Sequence, residues 1–235
     1  MAAPHALPKY IQVSERLIRE IAAGHLPDGV RLPGEREMAA DLGLSVGTLR
    51  KALAVLAEKG LLERVQGSGN YVRHREGVVS VYGFFRLERP KGGGLPTAEV
   101  LDVGRYDRPL NAPQFGNHPQ AHRIRRLRRL DGVAIAVEEI WLDAGRAAKV
   151  TADDLSDSLY QFYRDRLGLV IGSVEDRIGL RSAPDWVPDS FGIRAGQPAA
   201  HITRLSWDSG GHAVEFSRTW FDQDKARYVS RMGKG

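Results

Sequence analysis

The 235-residue sequence predicts an α+β protein in two parts: an N-terminal winged helix-turn-helix, and a larger α+β domain built on an antiparallel sheet. Three observations carry this expectation. Apolar residues recur at helical spacing in three short runs before residue 60, and a Gly-Ser-Gly turn between two strand-like runs follows them. Beyond residue 96 the dominant pattern is strand pairs around Asp-Gly and Gly-Gly turns, with one capped helix among them. Between the two lies Arg89-Pro90-Lys91-Gly92-Gly93-Gly94-Leu95-Pro96, with the composition of a connecting segment. The expected division is 1–75, a linker over 76–95, and 96–235.

In the first part, Tyr10, Val13, Leu17 and Ile21 share one helical face and Gly24 marks a stop, so residues 9–23 read as an amphipathic helix. Glu35 to Leu42 form a shorter helix that ends before Gly43. Ser45 offers an N-cap oxygen to a third helix, whose Leu49, Leu53 and Leu56 line one face before Gly60. Two helices joined across a Gly-containing turn make a helix-turn-helix. Leu61 to Val65 and Asn70 to Arg73 then flank Gln66-Gly67-Ser68-Gly69 as a hairpin, or wing.

In the second part, Arg123 to Leu130 and Val133 to Leu142 read as a hairpin around Asp131-Gly132. Residues 158–167 read as a helix closed by Gly168. His201 to Trp207 and Ala213 to Phe221 form a further hairpin around Asp208-Ser209-Gly210-Gly211.

Composition narrows the function. With 42% hydrophobic residues the chain can bury a core, which sets disorder aside. No apolar run is long enough to span a membrane, and the first residues lack the pattern of a secretory signal, so no membrane association is expected. The absence of cysteine removes disulfides, thiolate nucleophiles and Cys-based metal sites, and it suits a cytoplasmic protein. The net charge of +5 leans toward the N-terminus: residues 1–75 hold 11 Lys/Arg against 8 Asp/Glu. No nucleotide-loop, dinucleotide or nucleophile-elbow motif occurs, so no cofactor and no catalytic residue are expected. His118 and His122 have ligand-like spacing, but Pro119 interrupts them and no Glu accompanies them, so no metal site is expected either.

Two residue groups point to chemistry. Opposite the leucine stripe, the third helix carries Gly47, Thr48, Arg50 and Lys51, a small basic face of the kind that enters the DNA major groove. Arg36 and the wing glycines stand where they can approach the DNA backbone or minor groove. In the second part, five arginines fall within residues 123–129. Arg126 and Arg128 share a face with Ile124, and their burial requires a negative partner, either a ligand anion or a carboxylate on the returning strand. A two-residue turn at Asp131-Gly132 puts Glu139 on the Arg126 face, whereas a turn one residue longer puts Glu138 there. Ser158 and Tyr160 bring hydroxyls to a helix N-terminus, a favourable place for an anion.

Residues 26–72 resemble the winged-helix domain of the GntR family of bacterial transcription regulators. The resemblance rests on Gly29, Leu32-Pro33, Glu35-Arg36-Glu37, Ala39, Leu42-Gly43, Ser45, Thr48, Arg50, Ala52-Leu53, Leu56, Gly60-Leu61 and Gly67-Ser68-Gly69. It implies that Arg36, Ser45, Thr48, Arg50 and Gly67 contact operator DNA. Val46 replaces the arginine common in the family after the serine, which implies an altered half-site, with Val46 available to a thymine methyl. Residues 96–228 resemble the UTRA effector domain of the HutC-type branch. The features are Pro96-Thr97, Arg126-Leu127-Arg128, Asp131-Gly132, Glu138, Ser158-Leu159-Tyr160, Phe191-Gly192-Ile193 and Val214-Glu215. That resemblance implies a chorismate-lyase-like fold without catalysis, and a small anionic effector held by Arg126, Arg128, Ser158 and Tyr160, with Glu138 and Glu215 on its hydroxyl or amine groups. Phe221 stands where related sugar-phosphate binders have Tyr. Together these imply a ligand-responsive homodimeric repressor of a palindromic double-stranded operator. The rival readings are an enzyme acting on a small carboxylate, with Glu138 as acid or base, and a nonspecific nucleic-acid binder.

Overall fold

A computed structural model describes residues 7–75 and 82–231. The chain divides into two compact units, one running from Leu7 to Leu95 and the other starting at Pro96. Among the described residues, no helix is long and apolar enough to cross a membrane.

The first unit contains helices α1 (Lys9–Ala22), α2 (Glu35–Asp41) and α3 (Val46–Glu58), then strands β1 (Leu62–Val65) and β2 (Gly69–Val72). Its core joins Val13, Leu17, Ile18 and Ile21 of α1 to Leu49, Leu53 and Leu56 of α3, and Val72 closes it from the hairpin. The α2–α3 turn depends on Gly43, whose φ of +63° lies in the left-handed region. Arg31 bridges to Tyr71, which brings the chain before α2 alongside the wing.

The segment expected as linker is partly built into this unit. Buried Arg19 on α1 donates to the carbonyls of Gly94 (2.7 Å), Leu87 (2.6 Å) and Phe85 (3.3 Å). Glu20 holds Arg89 at 3.0 Å. A guanidinium has several donors in a fixed fork, so one buried arginine organises the returning chain by replacing the water its carbonyls would otherwise bind. Residues 76–81 of the expected linker lie outside the described residues.

The second unit is one six-stranded antiparallel sheet. Its strands are β3 (Pro96–Asp107), β4 (Gln120–Leu130), β5 (Val133–Asp143), β6 (Ile171–Ser182), β7 (Pro198–Asp208) and β8 (Ala213–Phe221), in the spatial order β3-β4-β5-β8-β7-β6. Because β5 and β6 are not neighbours, the chain between them must cross the sheet. Helix α4 (Leu159–Leu167) makes that crossing, capped by Ser158 and ended by Gly168 at φ +62°.

The β4–β5 hairpin resolves the choice between Glu138 and Glu139. The turn is the two-residue one, pairing Leu130 with Val133 and Arg129 with Ala134, but the register then shifts so that Arg128 opposes Ala136. Ile135 is the extra residue, and its carbonyl accepts from the Asp222 amide at 2.9 Å. The bulge puts Glu138 opposite Arg126 and Glu139 opposite Arg125.

Candidate functional site

In the first unit, Ser45 caps α3 by accepting from the Thr48 amide at 3.1 Å, and its hydroxyl also meets that of Thr48 at 2.9 Å. This fixes the N-terminal turn of α3, where Val46, Gly47 and Thr48 start the helix. Arg50 donates to Glu35 at 2.6 Å, and Arg64 reaches the other Glu35 oxygen at 3.5 Å. One carboxylate thus ties α2, α3 and the wing strand together. The hydrogen bond from Arg50 chiefly holds the Glu35 carboxyl below the usual range, against its partial burial and with help from the Arg50 and Arg64 charges.

Arg36, Lys51 and Gly67 are exposed, and neither Arg36 nor Lys51 has an ion-pair partner among the described residues. Gly67 turns the wing at φ +74°. Val46 is half-buried against the core, leaving only part of its side chain for an outside contact. A groove of about 580 Å³ runs between Arg50 and the wing tip, and Arg31 and Arg64 also line it. Sequence reading missed both. Arg64 was legible as the exposed position of a wing strand, whereas Arg31 depends on its bridge to Tyr71.

In the second unit, the sheet face under α4 gathers Arg126, Arg128, Glu138, Ser158, Tyr160 and Glu215. Arg126 donates to Glu138 at 2.7 and 3.2 Å, and Arg128 Nε lies 3.7 Å from the other Glu138 oxygen. Arg128 also donates to the Asp157 carbonyl at 2.7 Å, just before the α4 cap. Both guanidiniums are buried. Burial raises the Glu138 carboxyl, but the charges of Arg126 and Arg128 and the Arg126 hydrogen bond outweigh it, so it is held ionised below the usual range.

A second cluster adjoins it. Tyr163 donates to Glu215 at 2.6 Å, while Tyr160 (3.0 Å) and Ser206 (3.0 Å) meet the other Glu215 oxygen. Burial pushes the Glu215 carboxyl up, against these hydrogen bonds and the Arg204 charge. Tyr160 and Tyr163 are both raised, first by burial and then by the Glu215 charge, so each stays a hydroxyl donor.

Arg204, which sequence reading also missed, enters from β7 and grips Asp176 through two hydrogen bonds of 2.6 and 2.7 Å. Nothing local marks it. Its place follows from the β6–β7–β8 register, which sets Arg204 opposite both Asp176 and Ser217. The expected residues therefore gather beneath one helix as a cluster of paired, largely buried cations and carboxylates. Phe221 is buried on the same face, opposite Ala136. His118 and His122 do not converge: His122 meets the Ala147 carbonyl at 2.8 Å, while His118 lies by Arg105. Among the described residues, no group of three His or carboxylate side chains is placed to hold a metal.

A helix-turn-helix with a wing, followed in the same chain by an α+β unit with a buried polar chamber, defines a DNA-binding regulator that carries a sensory domain. The comparisons with known proteins agree. Residues 9–72 match the bacterial regulatory proteins of the gntR family, and residues 93–227 match the UTRA domain. HTH-type transcriptional regulator SmoD of Agrobacterium fabrum is 56% identical over 227 residues, 97% of either chain. The mannosyl-D-glycerate transport/metabolism system repressor MngR of Escherichia coli is 27% identical, over 94% of this chain and 95% of its own. In fold, the chain is similar to the crystal structure of the possible transcriptional regulator YydK from Bacillus subtilis, with a TM-score of 0.52 at 21% identity, covering 97% of this chain and all of that one. The chain belongs to the GntR family of bacterial regulatory proteins, in the group that carries a UTRA domain. It is a transcription regulator, and the enzymatic reading gives way to that one.

Proposed function

We propose that this regulator is a cytoplasmic homodimeric repressor that leaves a palindromic operator when a small anionic metabolite enters the chamber beneath α4. Residues 1–75 are the reading domain. Arg36, Ser45, Lys51 and Gly67 hold phosphates, while Val46, Thr48 and Arg50 meet base edges. A two-fold dimer matches two half-sites, and a ligand that favours a dimer geometry with the wrong spacing releases both.

The observation that carries the reading is the Arg126–Glu138–Arg128 cluster, in which one carboxylate compensates two buried guanidiniums. An incoming anion competes with Glu138 for these guanidiniums. Ser158 and Tyr160 extend the anion site, and Glu138 and Glu215 accept from the ligand's hydroxyl or amine groups. The name of one relative supports a sugar-acid class of ligand: MngR represses a mannosyl-D-glycerate system, and that compound pairs a carboxylate with hydroxyls.

The test is to sequence genomic fragments retained by the purified protein at physiological salt, with and without metabolite extract. A palindrome enriched by the wild type, lost in Arg50→Ala and depleted by extract supports the reading. Retention that scrambled DNA competes away equally well identifies a nonspecific binder instead.

A further inference from the structure

The sheet face opposite α4 carries its own cleft, about 800 Å³, within the size range of small-molecule sites. The loop before β4 and strand β6 wall it, through Leu110, Asn111 and Pro113 on one side and Glu175, Arg177 and Arg181 on the other. Phe115 is buried against Phe216 with ring centroids 6.2 Å apart, and Trp186 stands edge-on to Trp220 at 5.9 Å. The floor is sheet, with His201, Arg218 and Trp220 among the residues on it.

Two polar atoms at this floor have no hydrogen-bond partner among the described residues. His201 is 6% exposed and Trp220 is 7% exposed, yet His201 Nε2 and Trp220 Nε1 are both buried without a hydrogen-bond partner. Their rings lie 4.9 Å apart, and both residues line the cleft. An unmet buried polar group costs about 1–3 kcal/mol, and two such neighbours on one cleft floor point to a shared partner.

The charges around them are also unbalanced. Glu175 is engaged by Arg177 at 2.6 Å, and Glu139 by Arg125, Arg218 and the Trp141 indole. Arg181 lines the cleft with no ion-pair partner among the described residues. Burial, with the charges of Arg181 and Arg218, lowers the His201 imidazole to about 4, so at neutral pH its Nε2 donates or accepts according to tautomer.

We propose that this cleft is a second ligand site, separate from the chamber beneath α4, for a small anion that carries hydroxyl groups. The anionic end pairs with Arg181 and Arg218. A hydroxyl accepts from the Trp220 indole and donates to, or accepts from, His201 Nε2, a double role that carboxylate or phosphate oxygens alone do not fill. Phe216 and Leu205 give the carbon skeleton an apolar wall.

The test follows the Trp220 indole resonance in proton–nitrogen correlation spectra of the full chain with labelled tryptophan, assigned by its absence in Trp220→Phe. The probes are gluconate and phosphogluconate. The expected result is a saturable downfield shift as the indole gains an acceptor. Arg181→Ala weakens that titration by about tenfold or more, as loss of one charge-assisted contact does, and Arg126→Ala leaves it intact. Three results overturn the proposal: no shift with either probe up to about 10 mM, a shift indifferent to Arg181→Ala, or a shift lost in Arg126→Ala, which would trace it to the other face. A shift produced by raising protein concentration alone would reassign the cleft to contact between copies of the chain. None of these outcomes bears on operator binding, so this proposal and the one above fail separately.

Discussion

Replacing Glu138 with Gln leaves the shape of the chamber and removes the charge between Arg126 and Arg128. With nitrogen–oxygen separations of 2.7 and 3.7 Å, an effective dielectric near 20 gives gross attractions of about 6 and about 4.5 kcal/mol. Desolvation of the three ions offsets most of that, and breaking a buried pair on one side costs about 3–5 kcal/mol. All four tryptophans, Trp141, Trp186, Trp207 and Trp220, lie beyond Pro96, so tryptophan fluorescence of the intact chain reports on the second unit alone. At a urea slope of about 2 kcal/mol per molar, Glu138→Gln lowers its midpoint by about 1.5–2.5 M. The guanidiniums released from Glu138 then bind anions, so inorganic phosphate restores more stability to the variant than to the wild type. A midpoint within about 0.3 M of wild type, or an equal phosphate response in both proteins, refutes the claim that Glu138 holds the pair.

Further outcomes follow from the same structure. Arg50→Ala costs about 1–3 kcal/mol of specific DNA affinity in an anisotropy titration and leaves the tryptophan-monitored unfolding unchanged. Tyr163→Phe removes the 2.6 Å bond to buried Glu215 and destabilises the second unit by about 1–3 kcal/mol in the same urea assay. The His201 imidazole, lowered from 6.5 to about 4, binds fewer protons in the fold than in the open chain. Its contribution to stability is therefore complete above pH 6.5 and is lost as pH falls toward about 4, so His201→Gln flattens the acid decline of the urea midpoint over that window, by about 3 kcal/mol at most. Leu53→Ala opens a cavity in a core where Leu53 is 2% exposed and costs the first unit about 2–5 kcal/mol, read by amide exchange in α1 and α3.

Helices and central hairpins were legible because their periodicity is local. The leucine stripe of α3 and the Ser45 cap needed no distant partner to be recognised, and the Asp131-Gly132 turn announced its hairpin. The two edge strands were not legible. β6 is exposed along most of its length, and its glycines and charges, Gly172, Glu175, Asp176, Arg177, Gly179 and Arg181, show no alternation between apolar and polar. β3 is likewise half-exposed on an edge. The Ile135 bulge depends on an amide 87 residues later, at Asp222, and so does the choice of Glu138 over Glu139. Residues 82–95 read as linker because their order comes from Arg19, far away in α1. Within the buried cluster beneath α4, the residues carried by a motif could be named from the sequence, while Arg204, placed only by register, could not.

The central claim is a division of labour: DNA is read by the face around Arg50, and an anion under α4 governs release. The direct test measures operator binding by wild type, Arg50→Ala and Arg126→Ala on a fragment recovered by genomic enrichment, with and without the metabolite fraction that displaces the wild type. The account predicts that Arg50→Ala loses the operator yet still binds the metabolite, and that Arg126→Ala holds the operator and no longer releases it. Release of Arg126→Ala at the wild-type metabolite concentration, or loss of both activities in either folded variant, contradicts it.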